Sequence, residues 1–165
     1  MVEVTEAGVA DAEAISEFFW EAWREAGPGA PGWAGADPEV VAAIAAPEAI
    51  AARVGGPEHR MFLAWDGDRV VGFAATRRID AETIELAGVI VLASMVGHRI
   101  GTPLLDAAVR AATRLGYSRM VVSTETDNDR ALGFYEARSF VRTGSERRSV
   151  EGTDVEVALL ERTLG

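Results

Sequence analysis

The arrangement of apolar and polar positions along the chain predicts seven strands and four helices. Strands are indicated where apolar and polar residues alternate, or where a short apolar run is bounded by turn residues. Helices are indicated where apolar residues recur three and four positions apart. The predicted strands are Val2–Glu6, Met61–Trp65, Arg69–Ala75, a segment from the Asp80 loop to Leu92, Met120–Thr124, Val141–Ser149 and Val155–Leu160.

Capping and turn residues set the ends of the predicted helices. Asp37-Pro38 is typical of a helix start, since an N-cap residue precedes a proline whose missing N–H costs little there, and Gly55-Gly56 is typical of a helix end. The predicted helices are Ala10–Ala26, one from Asp37-Pro38 to Gly55-Gly56 with Pro47 as a candidate break, one ending near Leu115, and Asp129–Arg138. The connections include a Gly/Pro-rich loop over 27–36 and turns at Asp66-Gly67-Asp68 and Glu151-Gly152.

The resulting order, β-α-α-β-β-β-α-β-α-β-β, predicts an α/β (α+β) fold with a mixed sheet flanked by helices on both faces. A chain of 165 residues without a linker of domain-boundary length is expected to form one domain over 1–165. Apolar runs are too short for a membrane span and no signal peptide is recognisable, so we expect a cytoplasmic protein without a membrane partner.

Composition excludes several classes of site. The chain has no cysteine and two histidines, which excludes disulfides and thiol nucleophiles and argues against a metal cofactor. A formal net charge of −10 argues against a nucleic-acid partner. All 16 basic residues are arginine. Adaptation to a salty cytoplasm and a GC-rich genome both explain that bias, and the composition does not decide between them.

The chain's most informative segment is the apolar strand ending at Leu92, followed by a loop with Gly97 and Gly101 and then by a helix. A strand that enters a helix through such a loop leaves several backbone N–H groups unpaired at the positive end of the helix dipole. This arrangement favours an anion such as phosphate. An ordinary tight connection between a strand and a helix is the alternative.

Two motifs make the chain resemble the GNAT superfamily of acetyl-CoA-dependent N-acetyltransferases. The first is matched by Glu85, Leu86, Val89, Val91, Gly97, Ile100, Gly101, Leu104 and Leu105. The second is matched by Asn128, Ala131, Tyr135 and Phe140. The resemblance spans nearly the whole chain and implies a mostly antiparallel central sheet, acetyl-CoA as cosubstrate and a CoA-binding loop. The residues it assigns to CoA are Ile90, Val91, Gly97, His98, Arg99, Ile100, Gly101, Thr102 and Asn128.

Three positions depart from the family pattern. Val96 stands where the family has Gln or Arg, Arg99 replaces the second glycine of the loop, and Ser139 replaces the glycine before Phe140. A side chain at 99 can obstruct the approach of a phosphate, add its own charge to it, or point into solvent.

The resemblance assigns the catalytic roles to Tyr135 and Glu85. Tyr135 lies two helical turns beyond Asn128, and the family places its hydroxyl near the thioester sulfur, where it can protonate the leaving thiolate. Glu85 matches the position of a base or water-organising carboxylate. The alternatives are structural: an N-cap for Asn128, a core ring for Tyr135 and a salt-bridged strand residue for Glu85.

We therefore expect an N-acetyltransferase that acts on a primary amine of a small molecule or of a protein. Aromatic residues of the first helix and its following loop, Phe19, Trp20, Trp23 and Trp33, are candidates for the acceptor wall, with the core as the alternative. Two other hypotheses remain open: a non-catalytic acyl-CoA-binding sensor or partner module, and a domain that binds a different phosphate ligand. The resemblance also leaves a homodimer open.

Overall fold

The computed structural model describes residues 2–26, 37–150 and 153–165. The predicted turn at Glu151-Gly152, the predicted loop 27–36 and Trp33 lie outside the described residues. The strands are β1 (Glu3–Glu6), β2 (His59–Asp66), β3 (Arg69–Arg78), β4 (Thr83–Val91), β5 (Arg119–Glu125), β6 (Val141–Val150) and β7 (Thr153–Thr163). The helices are α1 (Ala12–Ala26), α2 (Pro38–Ala45), α3 (Pro47–Gly55), α4 (Gly101–Arg114) and α5 (Asp129–Glu136).

The strands found in the described residues form one seven-stranded sheet in the order β1-β2-β3-β4-β5-β7-β6. Five neighbouring pairs are antiparallel, and β4 and β5 are parallel. The predicted mixed, mostly antiparallel sheet is therefore confirmed. The predicted hairpin at Asp66-Gly67-Asp68 joins β2 to β3, and Gly67 has the positive φ of 65° that this turn requires.

The predicted second helix is two helices, α2 and α3, so the observed order contains one helix more than the predicted one. Ala46 precedes Pro47 and has an extended ψ of 124°, because the proline ring disfavours helical backbone in the residue before it. Pro47 then begins α3, where its missing N–H costs little.

Helices cover both faces of the sheet, as β3 demonstrates. Phe73 packs with Phe18 and Phe19 of α1, whose ring centroids lie 6.2 and 5.0 Å away. Its neighbour Gly72 faces the opposite side, where α4 lies. A Cβ at position 72 would lie 2.8 Å from Ile100 Cγ2 and 2.9 Å from Leu104 Cδ1. Gly72 therefore allows α4 to approach the sheet closely.

Among the described residues, no helix is long and apolar enough to cross a membrane. Within the same part of the chain, no three His, Asp or Glu side chains come together in a way that could hold a metal ion.

Candidate active site

An opening between β4 and β5 interrupts the centre of the sheet. The two strands pair at Thr83, Ile84 and Glu85 with Arg119, Met120 and Val121, and no later pair joins them in the described residues. However, β4 continues to Val91 and β5 continues to Glu125. The later parts of both strands therefore face each other without a ladder, and their backbone groups on this side are free to bind an extended molecule.

The predicted cofactor residues Ile90 and Val91 lie on this unpaired part of β4. They pair with Phe73 and Gly72 of β3, so their side chains lie on the α1 face and the α4 face respectively. Both residues are partly buried.

A short 3-10 turn at Ala93–Met95 follows β4 and is held by the end of α1. The backbone N–H of Ser94 donates to Glu25 Oε2 at 3.1 Å, and the Ser94 hydroxyl donates to Glu25 Oε1 at 2.9 Å. This contact fixes the segment that leads into the predicted phosphate loop. The spacing of 69 residues between Ser94 and Glu25 explains why sequence patterns did not reveal it.

The backbone from Gly97 to Thr102, called here the anion loop, exposes a set of unpaired donors at the start of α4. His98 N–H donates to Met95 O at 3.2 Å. Within the described chain, no hydrogen bond uses the other N–H groups of this loop, and no side chain caps α4. The free N–H groups belong to Gly97, Arg99, Ile100, Gly101 and Thr102.

The predicted loop residues thus come together at one helix start, with Ile100 buried beneath them. Gly97 and Arg99 have positive φ angles of 95° and 57°, and a Cβ at Gly97 would meet nothing within 4 Å. Arg99 therefore keeps the left-handed backbone that a glycine would adopt without strain. Five unpaired N–H groups near the positive end of α4 form an arrangement that favours an anion such as phosphate.

The helix α5 lies beside the start of α4 and carries the second group of predicted residues. Asn128 Oδ1 accepts the N–H of Ala131 at 3.2 Å, so Asn128 is the N-cap of α5. Its amide nitrogen makes no hydrogen bond with the described residues. The cap alternative is therefore observed, and a contact of the remaining NH₂ group with a ligand stays a prediction.

Tyr135 is 6% exposed, and its ring packs edge-on against Phe134 and Phe140 at 5.3 and 5.5 Å. Burial raises the pKa of Tyr135 to about 12, because a phenolate would be poorly solvated there. Among the described side chains, no fully buried polar atom lacks a partner, and no hydrogen bond holds the Tyr135 hydroxyl. The hydroxyl therefore stays protonated and retains contact with solvent.

Glu85 is the last residue of β4 that pairs with β5, and its side chain lies on the α1 face. Arg77 Nε and Nη2 donate to Glu85 Oε1 at 3.2 and 3.0 Å, so the carboxylate is in the salt bridge that the sequence left open as its alternative. The Glu85 side chain is 21% exposed. Since both hydrogen bonds reach Oε1, the other oxygen, Oε2, is left for water or a ligand.

The aromatic residues of α1 divide between core and surface. Phe19 belongs to the buried core, whereas Trp20 and Trp23 are partly buried and pack edge-on with ring centroids 5.8 Å apart. The proposed aromatic wall is therefore reduced to the two tryptophans in the described part of the chain.

Comparison with known proteins gives the same picture. The model of the acetyltransferase (GNAT) family matches residues 12–140. A stretch of 90 residues, 54% of this chain, is 34% identical to mycothiol acetyltransferase of Corynebacterium efficiens and covers 29% of it. Another stretch of 85 residues, 49% of this chain, is 32% identical to N-alpha-acetyltransferase 30 of Schizosaccharomyces pombe and covers 57% of it. The chain spans less than two thirds of either relative.

Solved structures share the fold at low identity. The PaiA N-acetyltransferase of Thermoplasma acidophilum, solved in complex with coenzyme A, is 17% identical with a TM-score of 0.73, over 99% of both chains. The ribosomal-protein-S18-alanine N-acetyltransferase of Escherichia coli is 14% identical with a TM-score of 0.74, over 100% of this chain and 95% of its own.

Proposed function

Because the chain belongs to the GNAT acetyltransferase family, we propose that it transfers an acetyl group from acetyl-CoA to a primary amine of a small molecule or of a protein. The observation that carries this proposal is the anion loop beside the opening between β4 and β5. The loop offers its N–H groups to the pyrophosphate, and the opening offers unpaired backbone to the rest of the CoA arm.

In the proposed reaction the amine nitrogen attacks the thioester carbonyl carbon, the new C–N bond forms and the C–S bond breaks. The nitrogen loses a proton, and the sulfur leaves as a thiolate that takes one up. The Tyr135 hydroxyl is the proposed donor of that proton, since it is protonated and retains contact with solvent.

Glu85 is the proposed acceptor of the amine proton, directly or through one water. It lies on the α1 face of the sheet, whereas α5 with Tyr135 lies beside α4 on the other face. Acid and base would thus approach the opening from opposite faces. The free Oε2 atom supports this role, because Arg77 engages only Oε1.

The acceptor itself remains a proposal at the level of an amine. One matched relative bears the name of a small-molecule acetyltransferase and the other that of a protein N-alpha-acetyltransferase. Neither match covers two thirds of its relative, so neither name decides between the two acceptor classes.

A second candidate is an acyl-CoA-binding module without turnover. The salt bridge between Arg77 and Glu85 favours it, because the guanidinium already occupies one oxygen of the carboxylate that is proposed as the base. This candidate predicts tight CoA binding and no transfer to any amine.

The test measures CoA release from acetyl-CoA with a panel of small amines and peptides, at low and at multimolar salt. The chain contains no cysteine, so a thiol reagent detects the released CoA without a background from the protein. We expect amine-dependent release that Glu85→Gln strongly reduces. Binding without release supports the second candidate, and absence of acetyl-CoA binding at either salt concentration refutes both.

A further inference from the structure

Arg138 connects the two helices that form the proposed donor site. Its Nε and Nη2 atoms donate to Thr102 Oγ1 at 2.9 and 2.5 Å, and its Nη1 atom donates to the backbone oxygen of Phe134 at 2.9 Å. The guanidinium carbon lies 3.9 Å from the centroid of the Phe134 ring. These contacts, called here the Arg138 clamp, join the end of α5 to the first turn of α4.

The same ring also contacts the anion loop. A Cβ at Gly101 would lie 3.1 Å from Phe134 Cε2, so the ring packs against the backbone of the first residue of α4. Thr102 is the next residue, and the N–H groups of both are among the unpaired donors. The clamp therefore acts at the point where α4 offers its donors.

Among the described residues, no carboxylate forms an ion pair with Arg138. Ion pairs hold Arg60, Arg69, Arg77, Arg119 and Arg148. In the described part of the chain, the partners of Arg138 are instead a hydroxyl, a carbonyl and an aromatic ring, which leave its charge uncompensated. Arg138 is partly buried, where a charge acts more strongly on a nearby anion than it would in bulk water.

The contacts with Arg138 also determine where the Thr102 hydroxyl directs its hydrogen. A hydroxyl oxygen has two lone pairs and one hydrogen. Because Arg138 donates to the oxygen from two nitrogens, the hydrogen of Thr102 is directed elsewhere and is free to join the donors of the anion loop. Arg162 Nη1 in turn donates to the backbone oxygen of Arg138 at 3.0 Å, which ties the clamp to β7.

We propose that Arg138, which follows the end of α5, is a positioning residue for the anion loop and supplies a positive charge that is absent at Val96, the residue before the loop. It orients Thr102 and holds the first turn of α4 for the pyrophosphate. This inference rests on the proposed function, because the anion that it names is the pyrophosphate of CoA.

The test compares Arg138→Met, which keeps the length of the side chain, with Arg114→Met. Arg114 is an exposed arginine at the other end of α4, without an ion pair in the described residues, so its replacement changes the net charge equally. Calorimetric titration with CoA should give a dissociation constant raised about 10-fold for Arg138→Met, which is the usual loss for a hydrogen-bonded charge. Arg114→Met should stay within about twofold of the wild type on the same scale.

The acetyl thioester of pantetheine, which lacks the phosphates, separates positioning from damage to the fold. The value of kcat/KM for this thioester should be the same for the wild type and Arg138→Met. With acetyl-CoA, kcat/KM should be lower for Arg138→Met, because KM rises. A fall for both thioesters, or an unchanged CoA dissociation constant in a folded variant, would overturn the proposal.

If Arg138→Met does not fold, Arg138→Lys and Thr102→Val decide. Lysine keeps the charge but cannot donate from two nitrogens in the same fixed geometry. We therefore expect Arg138→Lys to bind CoA more weakly than the wild type and more tightly than Thr102→Val. Equal affinity in all three proteins overturns the inference while the proposed function stands. Absence of CoA binding by the wild type would remove both.

Discussion

The first turn of α4 lies against the end of α5, and the two helices begin in different ways. The start of α5 is closed, since Asn128 caps it with a side-chain oxygen. The start of α4 is open, since no side chain caps it and the N–H groups of the anion loop are unpaired in the described chain. The backbone N–H groups at the starts of two neighbouring helices are thus satisfied in one case and left unpaired in the other.

The difference separates stability from binding. A capped start contributes about 1 kcal/mol to folding whether or not a ligand is present. An open start contributes little by itself, because water satisfies its N–H groups until an anion replaces the water. The comparison supports the proposal that the start of α4 binds the acetyl donor and that α5 provides structural support and the proton donor.

Tyr135→Phe is expected to have the largest effect, and it tests this division directly. The change keeps the ring packed against Phe134 and Phe140 and removes only the hydroxyl. We expect kcat to fall by about 10- to 1,000-fold, the range of ordinary general-acid effects, while the CoA dissociation constant stays unchanged. Steady-state kinetics and calorimetry measure the two quantities. Full turnover, or a defect confined to acceptor binding, would remove Tyr135 from the mechanism.

The pH dependence of Tyr135 sharpens its role. Burial raises its pKa to about 12, so the folded protein keeps a proton that the unfolded chain releases near pH 10. The resulting stabilisation is complete below about pH 10 and is lost as the pH rises from there to about 12. In Tyr117→Phe, which leaves Tyr135 as the one tyrosine, the ultraviolet phenolate signal should appear well above pH 10. A midpoint near 10 would contradict a buried donor.

Gly72→Ala tests what holds the open start of α4 in place. The added methyl group would lie 2.8 Å from Ile100 and 2.9 Å from Leu104, so α4 must shift. Overpacking of this kind costs about 1–3 kcal/mol of unfolding free energy. CoA affinity should fall as well, because Ile100 belongs to the anion loop. Gly133→Ala on α5, where a Cβ meets nothing within 4 Å, is the matched control and should leave binding unchanged. Equal affinity in both variants would show that close seating of α4 is not needed.

Two variants of Asn128 separate the role of its capping oxygen from that of its amide NH₂ group. Asn128→Ala removes the cap, and we expect the free energy of unfolding, measured in urea, to fall by about 1 kcal/mol. Asn128→Asp keeps the capping oxygen and should keep the stability, but it loses the amide NH₂ group that the family resemblance assigns to CoA. Weaker CoA binding by Asn128→Asp at wild-type stability would support that contact. Unchanged binding would make Asn128 a purely structural cap.

The sequence predicted the local features of this site and missed the contacts between distant segments. Strand alternation, the glycine-bearing loop and the Asn128–Tyr135 spacing depend on neighbouring residues, so a pattern reveals them. The clamp joins Arg138 to Thr102 over 36 residues, and no spacing rule predicts such a pair. Gly72 was detectable in principle, because a lone glycine inside an apolar strand often marks a close backbone approach. The opening between β4 and β5 depends on where pairing stops, which alternation does not encode.

The smallest expected effects concern the two positions where this chain replaces a family glycine. Arg99 and Ser139 both have left-handed backbone, with φ of 57° and 72°. A non-glycine residue with this backbone destabilises the folded state by about 1–2 kcal/mol. Replacement by glycine removes that strain, but the unfolded chain gains conformational freedom, which offsets part of the increase in stability. Arg99→Gly and Ser139→Gly should therefore each raise the free energy of unfolding by somewhat less than about 1 kcal/mol.

The two glycine variants should differ in binding, because Arg99 lies in the open start of α4 and Ser139 lies beyond the end of α5. Ser139→Gly should leave the CoA dissociation constant unchanged. Arg99→Gly should raise it about threefold, since the loop loses a charge that is exposed to solvent and worth well under 1 kcal/mol. Arg99→Ala supplies the control, because it loses the same charge but keeps the strained backbone, so it should bind as weakly as Arg99→Gly without the gain in stability. If both Arg99 variants bound CoA more tightly than the wild type, the arginine would be an obstruction, and the anion loop would hold the phosphates through its backbone alone.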